Sequence, residues 1–434
     1  MKALLLDGSA ANDDFGARTC TALKFQLKAF GWDSEHIILR DKKIGNCSGD
    51  FFCWIRTPGM CNLNDDNRII ADAILSSDLL IYLTPVTFGG YASELKRIVD
   101  HQIQNISPFF VSIDGETHHR KRYSKYPDFM VLGWMEKPDQ TAEAIFRNLV
   151  QRNAINFYAD TFVSEVILTN LSDRQLASIT QKRLIELIGG QSTLPNQLPA
   201  EVFKSNEGIS VKRALLLVGS PRNQKSNSNS LGTYLFDKLN ARGIRTEIIY
   251  CYKLLRSSDR MEELIDAVNS ADLVVLAFPL YVDSLPAPLI GVLEHIASAR
   301  KGRETGNQFF ASIANCGFPE AAHTKIALRI CESFAQQAGF EWAGSLSLGG
   351  GEVIGGIPLV QGGGRTFRIR KSLNMAAKAL AIGKAIPKQA QDIMEKPFIP
   401  HWVYRVMGGM GWKKQAKDYG VLESLNNQPY QRKI

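Results

Sequence analysis

Residues 219–232 read GSPRNQKSNSNSLG, a stretch in which Ser220, Ser226, Ser228 and Ser230 offer hydroxyls, Asn227 an amide and Arg222 a planar guanidinium. The stretch follows an apolar run at 214–218 and opens a helical pattern in which Leu231, Tyr234, Leu235 and Leu239 share a face. Hydroxyl donors, a guanidinium fork and a helix N-terminus suit a phosphate, because first-turn N–H groups lack partners and the helix dipole is positive there. Gly219 permits the tight turn such a loop requires. Neither G-x-G-x-x-G nor a G-K-[ST] ending is present, so the phosphate expected is that of a mononucleotide. Helix capping alone accounts for one or two of these residues but not for Arg222 together with five others.

The elements that position this loop are legible as a repeat. DLLIYLTP (78–85) and DLVVLAFP (272–279) are continuous apolar runs entered by Asp and ended by Pro, and each is preceded by a run ending in Gly-Ser, ALLLDGS (3–9) and ALLLVGS (214–220). Runs without polar alternation suit strands covered on both faces, as in a parallel sheet. Helical patterns lie between them, including 141–158 and 172–190 in the first half and 320–339 in the second. Strand–helix alternation in both halves calls for two tandem α/β domains with doubly wound parallel sheets. The spacing places the first domain at 1–190, a linker rich in Gly, Pro, Asn and Ser at 191–210, the second domain at 211–364 and a basic helical tail at 365–434.

Composition is that of a globular protein, with 45% hydrophobic and 22% charged residues in 434. No run of eighteen apolar residues is present, and MKALLLDGSA reads as a first strand rather than a secretory leader. Seven cysteines scattered over a long chain point to a reducing cytoplasm, not a disulfide framework. The net charge of +8 resides in the tail, where 14 Lys and Arg face 4 Asp and Glu from residue 365 onward. A body without excess positive charge argues against a nucleic-acid partner.

Beyond the serine loop, FPLYVDSLPAP (278–288) and NCGFPE (315–320) in the second half, with CWIRTPGMC (53–61), LTPVTFGGYASELKRIVDH (83–101) and GETHHRKRYSKYP (115–127) in the first, resemble the flavodoxin-like NAD(P)H-dependent FMN reductase family. The resemblance implies FMN as cofactor, NAD(P)H as co-substrate and a quinone, flavin or similar small molecule as electron acceptor. It places the FMN phosphate on the 219–230 loop, the isoalloxazine ring against Pro279, Leu280, Tyr281 and Val282, and a closing loop near Gly317. No Ser-His-Asp or Cys-His set appears, which fits an enzyme whose flavin carries the hydride chemistry. An electron-transfer flavoprotein serving a protein partner and a flavin-free scaffold stand as alternatives.

The first half departs from the family pattern. Its corresponding loop, DGSAANDDFGAR, has Asp7, Asp13 and Asp14 to repel a phosphate and Arg18 to offset one of them, so tight FMN binding is not expected there. Flavin sites in the family often lie near subunit interfaces, so the fused pair either mimics a dimer, with PVTFGGY bordering the other half's flavin, or carries a structural partner. A homodimer is compatible with both. Iron–sulfur flavoproteins of this superfamily hold a cluster on four cysteines; here Cys47, Cys53 and Cys61 surround Asp50, a set poorly suited to a four-iron cluster. Ordinary buried thiols or a reversible disulfide are the other readings. His118 and His119 precede Arg120, Lys121 and Arg122 and read as a solvated or interdomain basic loop. In the tail, PFIPHWVYRVMGGMGWKK (397–414) mixes aromatic and basic residues, suiting a strap over the domains or a peripheral contact with anionic lipid.

Overall fold

A computed structural model describes residues 1–201, 203, 210–254, 258–302 and 308–431. Residues 202 and 204–209 of the expected linker lie outside the described residues. The chain divides into two compact units, 1–198 with 405–434, and 199–404.

The first unit runs β1 (Lys2–Asp7), α1 (Asp14–Ala29), β2 (Asp33–Ile38), α2 (Phe52–Ile55), α3 (Asn67–Leu75), β3 (Leu79–Thr87), β4 (Gly90–Tyr91), α4 (Ser93–His101), β5 (Ile106–Ile113), β6 (Glu116–Lys121), β7 (Asp128–Met135), α5 (Gln140–Asn156), β8 (Phe162–Leu168) and α6 (Asp173–Ile188). Its main sheet is ordered β2-β1-β3-β7-β8, all parallel, with β4 folded back antiparallel on β3 and β5–β6 forming a separate antiparallel pair. The second unit runs β9 (Arg213–Val218), α7 (Asn227–Asn240), β10 (Arg245–Tyr250), α8 (Cys251–Leu254), α9 (Ser258–Ser270), β11 (Leu273–Pro279), α10 (Ala287–Ala299), β12 (Phe309–Asn315), α11 (Lys325–Gln337), β13 (Glu341–Leu348), α12 (Phe367–Leu380) and α13 (Lys388–Glu395). Its sheet is ordered β10-β9-β11-β12-β13 and is wholly parallel. Counted within each sheet, both orders are 2-1-3-4-5, the flavodoxin-like arrangement of a doubly wound sheet.

The repeat extends to atomic detail. Ala3 pairs with Leu79 and Ala214 with Leu273, so the two apolar runs share one register. The Asp that enters each run accepts from backbone at the start of the neighbouring strand, Asp78 from Lys2 N (2.9 Å) and Asp272 from Lys212 and Arg213 N (2.8 Å each). Gly8 N donates to Leu83 O and Gly219 N to Ala277 O, both at 2.8 Å. A Cβ at Gly8 would lie 2.7 Å from Leu95 Cβ, and one at Gly219 would lie 2.5 Å from Leu289 Cδ2. The glycine after each first strand is therefore required by the helix packed across it.

The tail expected at 365–434 is helical, and its first part packs into the second unit: α12 places Ile369, Leu373, Ala376, Ala377 and Leu380 in that unit's core, joined by Ala390 and Met394 of α13. Their apolar faces share that core with Leu231, Leu235 and Leu239 of α7, partners that composition alone could not assign. The last helix, α14 (His401–Asp418), has residues 401–404 counted with the second unit and 405–418 with the first. His118 and His119 are not in a solvated loop but in β6, where the His118 ring is buried with Nδ1 2.8 Å from Asn156 Oδ1 and His119 packs against Trp54 and Phe110. Arg122 is buried too, donating to the carbonyls of Ile106, Leu425 and Asn427, because three backbone acceptors compensate the charge.

Candidate functional site

The loops after β9, β11 and β12 emerge at the carboxyl ends of three neighbouring strands, where a doubly wound sheet binds its ligands. Ser226 caps α7: its Oγ accepts from Asn229 N (3.1 Å) and donates to Asn223 O (2.6 Å). Ser230 donates to Ser226 O (3.2 Å) within the helix. These two hydroxyls therefore build the loop, whereas the N–H groups of Asn227 and Ser228 sit in the first turn, where helices leave donors unpaired. Ser220 is buried beneath the turn and Arg222 is exposed on it. Asn227 Oδ1 accepts from Gly356 N (2.8 Å), and a Cβ at Gly356 would lie 2.4 Å from Lys225 O, so the 350–366 segment is pressed onto the loop.

Asn315, at the end of β12, ties the pieces together. Its side-chain amide donates to Ser228 Oγ (2.8 Å) and Phe278 O (3.0 Å), and its carbonyl accepts from Leu280 N (2.8 Å). Pro279, Leu280, Tyr281 and Val282 are all half-buried beside it. Tyr281 and Ser284 exchange N–H···O bonds of 2.9 and 3.0 Å around Val282 (φ 45°) and Asp283 (φ 56°). A β-branched residue in the left-handed region is strained, and such strain concentrates at ligand clamps. The Val-Asp pair carries no turn signature, so this feature was not legible from sequence.

Gly317 is exposed, and a Cβ there would still lie 4.0 Å from both Glu352 Oε1 and Tyr404 Oη. Desolvation raises the Glu352 carboxyl pKa, with the Arg222 charge pulling the other way. Burial raises the Tyr404 phenol, helped by the nearby Glu352, Cys316 and Glu320. Glu320 lies 3.1 Å from His401 Nδ1 and 3.5 Å from His323 Nε2. Asn315, Glu352, His401 and Tyr404 are thus site-lining residues beyond those expected; the glycine-rich run at 349–356 was the sequence signal for one of them.

The first unit fills the equivalent position with itself. Asp13 caps α1, accepting from Gly16 N (3.0 Å) through one oxygen and from the Trp134 indole (2.9 Å) through the other. A Cβ at Gly16 would lie 2.7 Å from Ser9 Cβ, so loop and helix start are in contact. A carboxylate thus occupies the anion position at this helix N-terminus. Arg18 does not offset the loop's acids; it donates to Asp173 Oδ1 and Leu171 O, each at 2.7 Å. Asp7 turns to His36 (3.1 Å), whose pKa this hydrogen bond raises to about 9. After β3, Phe88 and Gly89 make the counterpart of the Val282–Asp283 turn, but Phe88 is buried and a Cβ at Gly89 would lie 2.8 Å from Ile145 Cβ.

Cys47, Cys53 and Cys61 line a cavity of about 20 Å³ with His101, room for about one water. Cys61 Sγ lies 3.5 Å from His101 Nδ1, while His101 Nε2 lies 2.8 Å from Gly45 O. Both oxygens of Asp50 are engaged, accepting from Ser48 Oγ (2.6 Å) and Phe52 N (2.9 Å). Burial raises all three thiols, Cys47 to about 12. The set offers three thiols and a carboxylate committed to its own turn, which does not fit a cluster requiring four thiolates.

A family model described as NADPH-dependent FMN reductase matches residues 1–118 and 213–337, more than half of the chain. An iron–sulfur flavoprotein of Methanocaldococcus jannaschii is 34% identical over 70 residues, covering 16% of this chain and 35% of that protein, so the match spans little more than a third of that relative. Among solved structures, an FMN-dependent NADH-azoreductase from Bacillus anthracis in complex with FMN is 15% identical, covering 39% of this chain and 99% of its own, with a TM-score of 0.32. An NAD(P)H:quinone oxidoreductase from Methanothermobacter marburgensis is 16% identical over 40% of this chain and 96% of its own, with a TM-score of 0.30.

Proposed function

The chain belongs to the NADPH-dependent FMN reductase family, and we propose that its second unit holds FMN and passes electrons from NAD(P)H to a quinone, flavin or similar small acceptor. The observation that carries this reading is the convergence of the α7 N-terminus, the strained 281–284 turn and the open Gly317 loop at the ends of three adjacent strands. Bound FMN supplies hydride acceptance and onward electron transfer; the protein supplies position and electrostatics. Ser220, Arg222 and the N–H groups of Asn227 and Ser228 would hold the phosphate, with Ser226, Ser230 and Asn315 fixing the loop's shape. Pro279, Leu280, Tyr281 and Val282 would flank the ring, leaving the Gly317 side for the acceptor. Tyr404, held protonated, keeps an O–H donor beside that opening, and Glu320 orients the His401 imidazole next to it. The first unit, with Asp13 in the anion position, serves as a partner without a flavin of its own.

The test is flavin stoichiometry together with turnover. Protein loaded with FMN should retain one FMN per chain after gel filtration and oxidise NADH or NADPH when a soluble quinone is supplied. Two FMN per chain would sink the assignment of roles to the units. FMN retained without NAD(P)H oxidation would favour an electron-transfer flavoprotein.

A further inference from the structure

Helix α14 carries apolar residues on two opposite faces. In its 405–418 portion, Gly408 lies so close to Phe110 that a Cβ would sit 2.6 Å from the ring, Trp412 packs edge-on to Phe51 and Trp54 at 5.4 and 5.3 Å, and Ala416 is fully buried. These residues recur every four positions and form the inward face. On the opposite arc, Val406, Met407 and Met410 are 57%, 60% and 67% exposed, followed on the same side by exposed Lys413, Lys414 and Lys417. At 1.5 Å per residue the outward stripe from Val406 to Lys417 is about 16 Å long. No acidic residue lies between Arg405 and Lys417.

We propose that this outward face docks on an anionic lipid surface. Exposed valine and methionine side chains gain by leaving water, which explains the apolar residues on a face the fold itself does not bury. The lysines then decide the occupant. Lysine is depleted from the cores of protein–protein interfaces but is drawn to anionic headgroups, and an apolar patch continued by a basic patch along one helix matches a helix lying in the plane of a bilayer surface. Among the described residues no helix is long and apolar enough to cross a membrane, so the contact is peripheral.

The experiment is co-sedimentation of the full-length protein with phosphatidylcholine vesicles, with and without phosphatidylserine, at low and raised salt. Binding should require phosphatidylserine and fall as salt rises. Each lysine near the surface contributes about 1 kcal/mol, about fivefold, so Lys413→Ala, Lys414→Ala and Lys417→Ala together should weaken binding on the order of 100-fold. Val406→Asp with Met410→Asp should also release the protein, with circular dichroism unchanged because these side chains are exposed. Absence of binding to phosphatidylserine vesicles would overturn the proposal, as would binding indifferent to both sets of substitutions. A dimer in solution that the Val406→Asp, Met410→Asp pair dissociates would assign the face to a second copy and overturn it equally.

Discussion

Arg222→Ala should weaken FMN binding roughly tenfold without disturbing the fold. A hydrogen bond to a charged group is worth about 1.5–3 kcal/mol, or roughly tenfold to 150-fold in affinity. Two features of the structure select the lower end of that range. Arg222 is exposed, so water screens its charge, and the Glu352 carboxylate already interacts with it. The other proposed phosphate contacts should be unaffected, because Ser226, Ser230 and Asn315 maintain the loop through bonds that do not involve Arg222. Riboflavin lacks the phosphate and should bind wild-type protein and Arg222→Ala about equally. Arg18→Ala is the control: that guanidinium is occupied with Asp173 and Leu171 in the first unit and should leave FMN affinity unchanged. Fluorescence-quenching titrations of FMN and riboflavin into the three proteins give the comparison. If Arg18→Ala strips FMN while Arg222→Ala retains it, the flavin has been assigned to the wrong unit. If riboflavin loses as much affinity as FMN on Arg222→Ala, the guanidinium does not act on the phosphate.

Three further outcomes are expected. His36, raised from 6.5 to about 9 chiefly by its hydrogen bond to Asp7, contributes stability that is fully present below about pH 6.5 and lost as pH rises through about 9. His36→Asn should therefore cost about 2 kcal/mol in urea denaturation near pH 6 and much less near pH 10, the partial exposure of the imidazole trimming the full shift. Leu373→Ala should destabilise the second unit by about 2–5 kcal/mol, since the side chain is fully buried in its core; a melting temperature that does not move would mean the 367–380 helix does not belong to that core. Anaerobically purified protein should lack stoichiometric iron and acid-labile sulfide, because Asp50 is held by Ser48 and Phe52; about four of each per chain would refute the ligand argument.

The sequence by itself determined what local pattern and repetition can determine. Apolar runs unbroken by polar alternation marked buried parallel strands, and their duplicated Asp, Gly and Pro positions pointed to two copies of one topology; the folded chain then pairs Ala3 with Leu79 and Ala214 with Leu273 in the same register. The serine-rich loop announced itself because hydroxyls, amides and a guanidinium crowd a helix start, a composition that capping alone does not require. Sequence also marked the first loop as hostile to phosphate, since three carboxylates sit where donors are needed. Tertiary structure decided which of these groups are spent on the fold. Only the folded chain shows that Ser226 and Ser230 bond to backbone, that Arg18 turns to Asp173, and that Asp13 itself sits at the anion position with Trp134. It also decided what distant segments bring: the core role of Leu373, the approach of Tyr404 to Gly317, and the left-handed turn at Val282 and Asp283. These depend on contacts between residues far apart in the chain, where the partner rather than the residue type sets conformation, hydrogen bonding and charge. A local pattern carries no record of such partners.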